Sequence, residues 1–140
     1  MEFTKYVAGF LFRAEGREVA LIRKTKPDWQ RGKLNGIGGK VEKGEHVQSA
    51  MEREFREETG WAEVRWNKFC TLQVPQASVS FFKCMHGDDA VLRSTTDEQV
   101  GWFNVQDVLS RNDVVLPNLR WLIPMALCSS DPVSLVNSEK

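Results

Sequence analysis

One stretch of the chain constrains the fold more than any other. Residues 45–59 contain neither glycine nor proline and are rich in Ala, Met, Glu, Arg and Gln, which favour the α-helix. Gly60 follows directly, at the place where a left-handed residue commonly ends a helix. The sequence therefore predicts a helix over residues 45–59, around which the other elements must pack.

Three acids of this helix lie beside its apolar stripe rather than on its solvated back. At about 100° per residue, the apolar stripe consists of Val47, Met51 and Phe55. An arc of about 100° that overlaps one edge of the stripe holds Glu54, Glu57 and Glu58. The face predicted to meet water holds Glu45, Ser49, Glu52 and Arg56. The three acids are therefore predicted to face other parts of the protein.

A cluster of like charges needs a partner. Glutamates three or four residues apart on a helix repel each other, by several kcal/mol per close pair at an effective dielectric constant of about 20. A bound cation relieves this repulsion, and a site made only of carboxylates suits Mg²⁺ or Mn²⁺ better than Zn²⁺. The competing interpretation is a solvated helix face on which Arg53 and Arg56 neutralise the acids. The acids by themselves leave both interpretations open.

Glycines and charged residues around the predicted helix follow a recognisable spacing. The residues that carry it are Gly39, Glu45, Arg53, Glu54, Glu57, Glu58 and Gly60. They occupy every fixed position of the pattern G-x5-E-x7-R-E-U-x-E-E-x-G-U, in which U is a bulky aliphatic residue, so this segment resembles the signature of the Nudix hydrolases. The two apolar positions hold Phe55, where Leu is common, and Trp61, where Ile, Leu or Val is usual.

The resemblance implies a fold and an activity. Nudix proteins have an α/β/α sandwich with a mixed central sheet, in agreement with the strands that the sequence predicts on both sides of residues 45–59. Nudix enzymes hydrolyse a nucleoside diphosphate linked to another group, by attack of water on a phosphorus. Such phosphoryl transfer depends on positioning and on charge neutralisation, to which divalent ions contribute. The implied cofactor is Mg²⁺, with Mn²⁺ as the alternative.

The resemblance also assigns roles within the signature. Glu57 and Glu58 would be the main metal ligands, and Glu54 would be either a ligand or the base that takes a proton from water. The carbonyl group of Gly39 would complete the ligand set. Arg53 and Glu45 would not bind the metal themselves but would orient the helix and the preceding loop that carry the ligands.

Residues outside the signature are candidates for the same site. In this family a later loop often supplies one more acid as metal ligand or base, and we favour Glu98 over Asp97 for this role. Arg23 and Lys40 stand where basic residues of similar enzymes contact the phosphates. The alternative for each of these residues is a solvated surface charge.

Two asparagines are candidates for contacting the base. Residues 35–42 resemble the oxidised-purine nucleotide hydrolases of the MutT type, in which an Asn at the place of Asn35 contacts the base edge. Asn118 follows a proline, where that group has a base-contacting acid or amide. An amide offers both a donor and an acceptor, which suits a purine edge. The alternatives are a turn residue at Asn35 and a helix N-cap at Asn118. Trp29 and Trp121 would either stack on a base or pack against the protein.

Three functions follow from these interpretations. The favoured one is Mg²⁺-dependent hydrolysis of a nucleoside triphosphate, such as an oxidised purine dNTP like 8-oxo-dGTP, to the monophosphate and pyrophosphate. The alternative is a pyrophosphatase for ADP-ribose or a nucleotide sugar, a group in which a proline near the place of Pro75 is frequent. A non-catalytic nucleotide-sensing module is disfavoured, because it would not need the three glutamates together.

Composition and patterning limit the partners. The 19 Lys and Arg balance the 19 Asp and Glu, so the chain has no net charge to attract nucleic acid. No apolar run reaches the roughly 18–20 residues of a membrane span, and the first residues lack the pattern of a secretion signal. The 3 cysteines form no CxxC pair, which predicts neither a disulfide framework nor a zinc site. We expect a cytoplasmic monomer or homodimer whose partner is a small-molecule nucleotide.

The remaining elements are predicted from local pattern. Strands are predicted over residues 5–12, 19–22, 66–74, 79–85 and 100–103, with a loop over residues 25–34. Helices are predicted over residues 105–110 and 118–127, the second broken or kinked at Pro124. Three glycines among residues 36–39 indicate close backbone approaches. One domain is expected over residues 1–128, followed by a fraying polar tail over residues 129–140.

Overall fold

The computed structural model describes residues 3–111, 113–128 and 133–136 of the chain. The strands and helices in this part are, in chain order, β1 (Thr4–Arg13), β2 (Glu18–Arg23), β3 (Leu34–Asn35), β4 (Ile37–Lys40), α1 (Val47–Thr59), β5 (Asn67–Val74), β6 (Ala77–Cys84), β7 (Gln99–Asn104), α2 (Val105–Ser110), α3 (Leu119–Cys128) and β8 (Val133–Val136). Every strand and helix predicted from the sequence is present, and β3, β4 and β8 were not predicted. None of these helices combines the length and the apolar character that a bilayer crossing requires.

The strands form a mixed sheet. Its order is β3-β2-β1-β6-β5-β8, with β4 also paired to β1 and β7 also paired to β2. The pairs β1–β6 and β5–β8 are parallel, and the other pairs are antiparallel. The first two strands form an antiparallel hairpin, in which Phe12 pairs with Val19.

Both faces of the sheet are covered, as the burial of β1 on its two sides shows. Phe10 and Phe12 of β1 belong to a core that includes residues of α2 and α3. Val7 and Leu11, which alternate with them, belong to a second core that includes Met51 of α1. The predicted α/β/α sandwich with a mixed central sheet is therefore confirmed.

The glutamate-rich helix ends as predicted and begins slightly later. It starts at Val47 rather than at residue 45, and its buried residues include Met51 and Phe55. Gly60 has a φ angle of 76° and donates its N–H to the carbonyl oxygen of Arg56 at 2.8 Å. This left-handed cap is the one that the sequence predicts.

The C-terminal part of the chain differs from its prediction. α3 is a continuous helix from Leu119 to Cys128 with Pro124 inside it, so the predicted break is wrong. Residues 129–132 and 137–140 of the predicted polar tail lie outside the described residues. Between them, β8 pairs with β5, so these four residues form a strand within the predicted tail. The β-favouring sequence Val-Ser-Leu-Val meets unpaired backbone groups at the edge of β5.

The glycine cluster allows β4 to lie very close to β1. The two strands pair with Gly38 opposite Ala8 and Gly39 opposite Val7. A Cβ atom added to Gly38 would lie 1.9 Å from the carbonyl oxygen of Val7 and 2.7 Å from the Cα atom of Ala8. Both neighbours are backbone atoms, so they cannot move away without disturbing the sheet.

We therefore expect the Gly38→Ala variant to lose about 3 kcal/mol of unfolding free energy, the scale of severe overpacking. Urea denaturation followed by circular dichroism measures the change. Gly101→Ala is the matched control, because its Cβ would make an ordinary contact with Phe103 at 3.5 Å, and we expect a change below about 1 kcal/mol. Equal urea midpoints for Gly38→Ala and the wild type would contradict the prediction.

Candidate active site

The predicted site forms where β4 meets the edge of α1. Glu54 reaches across from the helix and packs against the Cα atom of Gly39. A Cβ atom on Gly39 would lie 2.5 Å from Cδ and Oε1 and 2.6 Å from Oε2 of Glu54. Only a residue without a side chain leaves room for this carboxylate, so two of the residues predicted for the site are in direct contact.

Arg53 links the helix to the loop before it. Its Nε and Nη2 donate to the two carboxylate oxygens of Glu45 at 2.8 and 3.0 Å. Its Nη2 also donates to the carbonyl oxygen of Lys40 at 3.1 Å. Its Nη1 donates to Glu54 at 3.0 Å and to Glu57 at 3.2 Å. This guanidinium therefore fixes the end of β4 and the loop that follows it to the middle of α1.

The position of Glu45 corrects one sequence prediction. Its side chain is only 16% exposed and does not face water, because it precedes the helix and turns back to Arg53. The hydrogen bond from Arg53, with a second one from the backbone N–H of Glu42, lowers the pKa of Glu45 to about 2. Glu45 therefore stays ionised under all ordinary conditions and keeps Arg53 in place.

The acids nearest the sheet keep an unbalanced negative charge. Burial raises the pKa of Glu54, an effect that Arg53 only partly offsets and to which the Glu57 carboxylate adds. Burial also raises the pKa of Glu58, and the charges of Glu54 and Glu98 add to this effect. The site therefore favours an additional positive charge next to these carboxylates.

Glu98 lies at the other side of the site, at the residue before β7. Its side chain is buried, and it accepts hydrogen bonds from Lys24 Nζ at 3.1 Å and from the N–H and hydroxyl group of Thr25 at 2.6 and 3.1 Å. Burial raises the pKa of Glu98, but these hydrogen bonds and the Lys24 charge outweigh it and hold the pKa below its ordinary value. Asp97 is exposed, so burial distinguishes the two acids that the sequence analysis considered for this role.

Of the two basic candidates, the structure brings one to the site. Lys40 lines the two clefts described below. Arg23 is exposed, and its Nη1 donates to the carbonyl oxygen of Gly32 at 2.9 Å instead. Its neighbour Lys24 takes the inner position, which the sequence analysis missed. Strand alternation was the signal for it, because Lys24 continues the face of β2 on which Ile22 packs toward α1.

A cleft of about 470 Å³ opens beside β4, within the size range of small-molecule pockets. Its lining includes Lys24, Trp29, Gln30, Asn35, Gly39, Lys40 and Asn118. Trp29 is 68% exposed at the cleft, whereas Trp121 does not line it. Both asparagines predicted to contact a base therefore face the same space.

The two asparagines differ in what they already bind. The side-chain oxygen of Asn35 accepts the N–H of Gly36 at 2.8 Å, and its Nδ2 donates to Gln30 at 3.4 Å. The side-chain oxygen of Asn118 is buried and has no hydrogen-bond partner among the described residues. It therefore does not cap α3, which removes the alternative interpretation of this residue.

A second cleft, of about 820 Å³, lies on the other side of Lys40. Its lining includes Lys5, Lys40, Lys43, Arg53, Glu54 and Glu57. Lys40 lines both clefts, one with the two asparagines and the other with Glu54 and Glu57.

Within residues 3–111 and 113–128, no three acidic, His or Cys side chains converge as a ready-made metal site. Arg53 bridges Glu54 and Glu57, which places its positive charge between two of the predicted ligands. The Glu57 side chain is 55% exposed and therefore has room to change rotamer.

Pro75 lies in a turn and away from both clefts. It lies in the turn between β5 and β6, which pair from Val74 and Ala77 onward. It does not line either cleft, so the structure adds nothing to the ADP-ribose interpretation.

Comparisons with known proteins concern the domain family and the fold. Residues 2–122 match the model of the NUDIX domain. No curated protein matches the chain. A MutT structure from work on Aliivibrio salmonicida and Vibrio cholerae is 25% identical, with 90% of this chain and 98% of that chain covered and a TM-score of 0.73.

Two more distant structures share the fold. A MutT Nudix hydrolase from Burkholderia pseudomallei is 20% identical, with 89% of this chain and 98% of that chain covered and a TM-score of 0.74. A Nudix hydrolase from Nitrosomonas europaea is 17% identical, with 99% of this chain and 81% of that chain covered and a TM-score of 0.74. At these identities the likeness concerns the fold alone.

The contact between Gly39 and Glu54 yields a prediction. A Cβ in the Gly39→Ala variant meets the end of a flexible side chain, so we expect Glu54 to swing away while the fold survives. Mn²⁺ affinity, measured by electron paramagnetic resonance, should fall about tenfold or more, while the urea midpoint changes little. Gly101→Ala should change neither quantity. Mn²⁺ affinity equal to that of the wild type would show that the Glu54 position is not needed for the ion.

Proposed function

The chain belongs to the NUDIX domain family and is a MutT-type pyrophosphohydrolase, and we propose that it hydrolyses a nucleoside triphosphate to the monophosphate and pyrophosphate with bound Mg²⁺. One observation carries the choice of substrate. Lys40 lines both the cleft that holds the two amides and the cleft that holds the α1 acids, so a base and a polyphosphate would each have a surface of matching chemistry.

The residues present suit a hard divalent cation. Glu54, Glu57, Glu58, Glu98 and the carbonyl group of Gly39 would supply only oxygen donors, which Mg²⁺ and Mn²⁺ prefer. Burial and mutual repulsion raise the pKa of Glu54 and of Glu58, so a cation would relieve an unfavourable charge. When bound, such an ion neutralises phosphate charge and makes a water molecule more acidic.

Residues of the chain would perform the other tasks. Arg53, tied to Glu45, keeps Glu54 beside β4. Lys40 would contact the phosphates, and we add Lys24 in place of Arg23, because Lys24 lines the cleft that Arg23 does not reach. Glu54 or Glu98 would accept the proton that the attacking water releases.

The base would lie between the asparagines. The free side-chain oxygen of Asn118 would accept a hydrogen bond from an amino or ring N–H group of the base. Asn35 keeps one N–H of its amide for the same edge, since the other points to Gln30. Trp29, exposed beside them, offers a surface for stacking.

A substrate panel tests the proposal. Canonical and oxidised nucleoside triphosphates, ADP-ribose and nucleotide sugars are incubated with the protein and Mg²⁺, and products are separated by ion-exchange chromatography. We expect a monophosphate and pyrophosphate from a triphosphate. Turnover of ADP-ribose alone would support a function as an ADP-ribose pyrophosphatase. Absence of turnover of every nucleotide, with Mg²⁺ and with Mn²⁺, would contradict the enzymatic function.

Within this assay, we expect Glu57→Gln to lower kcat by roughly 100-fold or more, because a lost ligand weakens charge neutralisation in the transition state. Circular dichroism should show an intact fold. Glu52→Gln, an exposed acid of the same helix, is the control and should retain wild-type turnover. A Glu57→Gln variant as active as the wild type would mean that the ion is held elsewhere.

Asn118→Ala should raise KM for some bases and not for others. Its stability should not fall, since the substitution removes a buried acceptor that has no partner. The matched control is Asn104→Ala, whose side chain does cap α2 by accepting the N–H of Asp107 at 3.0 Å. This control should lose about 1 kcal/mol of stability with unchanged KM values. An equal rise in KM for all bases would argue against base contact by Asn118.

A further inference from the structure

The hydroxyl group of Thr96 connects two acids from different parts of the chain. It donates to Oε2 of Glu58, in the last turn of α1, at 3.2 Å. It also accepts the backbone N–H of Glu98, the residue before β7, at 3.1 Å. One side chain outside the Nudix signature therefore touches one predicted ligand directly and another through its backbone.

The backbone on either side of Thr96 is fixed to the same helix. The N–H groups of Arg93 and Thr95 donate to the carbonyl oxygens of Thr59 and Glu58 at 2.9 and 3.4 Å. The hydroxyl group of Thr95 donates to the carbonyl oxygen of Glu57. These carbonyls belong to the last turn, where a helix cannot satisfy them itself. The segment over residues 93–98 is therefore docked on the end of α1 that carries the acids.

The Glu58 carboxylate needs such a restraint more than Glu98 does. Lys24 and Thr25 already hold both oxygens of Glu98. Among the described residues, the hydrogen bond to the Glu58 carboxylate comes from Thr96. The carboxylates of Glu54 and Glu98 both repel Glu58, and the hydrogen bond from Thr96 and the charge of Lys24 offset this repulsion.

We propose that Thr96 is a positioning residue, whose hydroxyl group holds Glu58 toward Glu98 so that both carboxylates face one divalent cation. The inference rests on the proposed metal-dependent function. The hydroxyl group contributes no ligand and no proton. It sets the rotamer of Glu58 in advance, so that less ordering is required when the ion binds.

Mn²⁺ binding without nucleotide tests this role directly, by electron paramagnetic resonance on the full chain. Thr96→Val keeps the shape of the side chain and removes both hydrogen bonds, and we expect its Kd for Mn²⁺ to rise about 10- to 100-fold. Thr96→Ser keeps the hydroxyl group and should return to within a few-fold of the wild-type Kd. The kcat of Thr96→Val should fall with an unchanged KM for nucleotide, because no contact to the nucleotide is lost.

Ser94→Ala is the matched loop control. The Ser94 hydroxyl group accepts the N–H of Val100 at 2.9 Å within the same segment and has no described contact with either acid. Thermal unfolding should show that it destabilises the protein about as much as Thr96→Val does, with an unchanged Kd for Mn²⁺. A Kd raised equally in both variants would mean that general loosening of the loop is the cause, and would overturn the proposal.

A double-mutant cycle with Glu58→Gln completes the test. If Thr96 acts through Glu58, adding Thr96→Val to Glu58→Gln should change the Kd for Mn²⁺ by less than twofold. Full additivity would overturn the proposal while leaving the metal-dependent function intact. Absence of Mn²⁺ binding by the wild-type protein would instead overturn the proposed metal site, and this inference with it.

Discussion

The close approach of β4 to both β1 and α1 is the constraint on which the rest of the site depends. Two successive glycines make it possible, each against a different neighbour. Gly38 leaves space for the backbone of Val7, and Gly39 leaves space for the carboxylate of Glu54. Because the first neighbour is backbone and the second is a mobile side chain, one glycine serves the fold and the other serves the arrangement of the acids.

The acids around α1 differ in how far Arg53 neutralises their charge. Arg53 carries the positive charge among these residues, but its shortest hydrogen bond goes to Glu45, both of whose carboxylate oxygens it binds. It therefore only partly balances Glu54, whose pKa stays raised by burial. The two interpretations of the glutamate-rich helix, arginine-neutralised or metal-binding, are thus compatible, because the arginine organises the acids without removing their excess charge.

Much of this arrangement could be predicted from the sequence. The helix, its left-handed cap at Gly60 and the buried stripe with Met51 and Phe55 follow from local preferences and the helical period. Glu54, Glu57 and Glu58 share one helix, so their spacing along the chain fixes their spacing in space. The choice of Glu98 over Asp97 is consistent with the burial of the first and the exposure of the second.

Helical periodicity was enough to predict α1 and its acidic edge, and the resemblance to the Nudix signature implied the sandwich. The folded structure was needed to show that Lys24 rather than Arg23 reaches the cleft, that Glu45 turns to Arg53, and that Thr96 joins Glu58 to Glu98. The Lys24 and Thr96 contacts join segments far apart in the chain, so their partners depend on which strand edges and helix ends meet. Strand alternation indicates the face on which Lys24 lies, but not the acid that it meets.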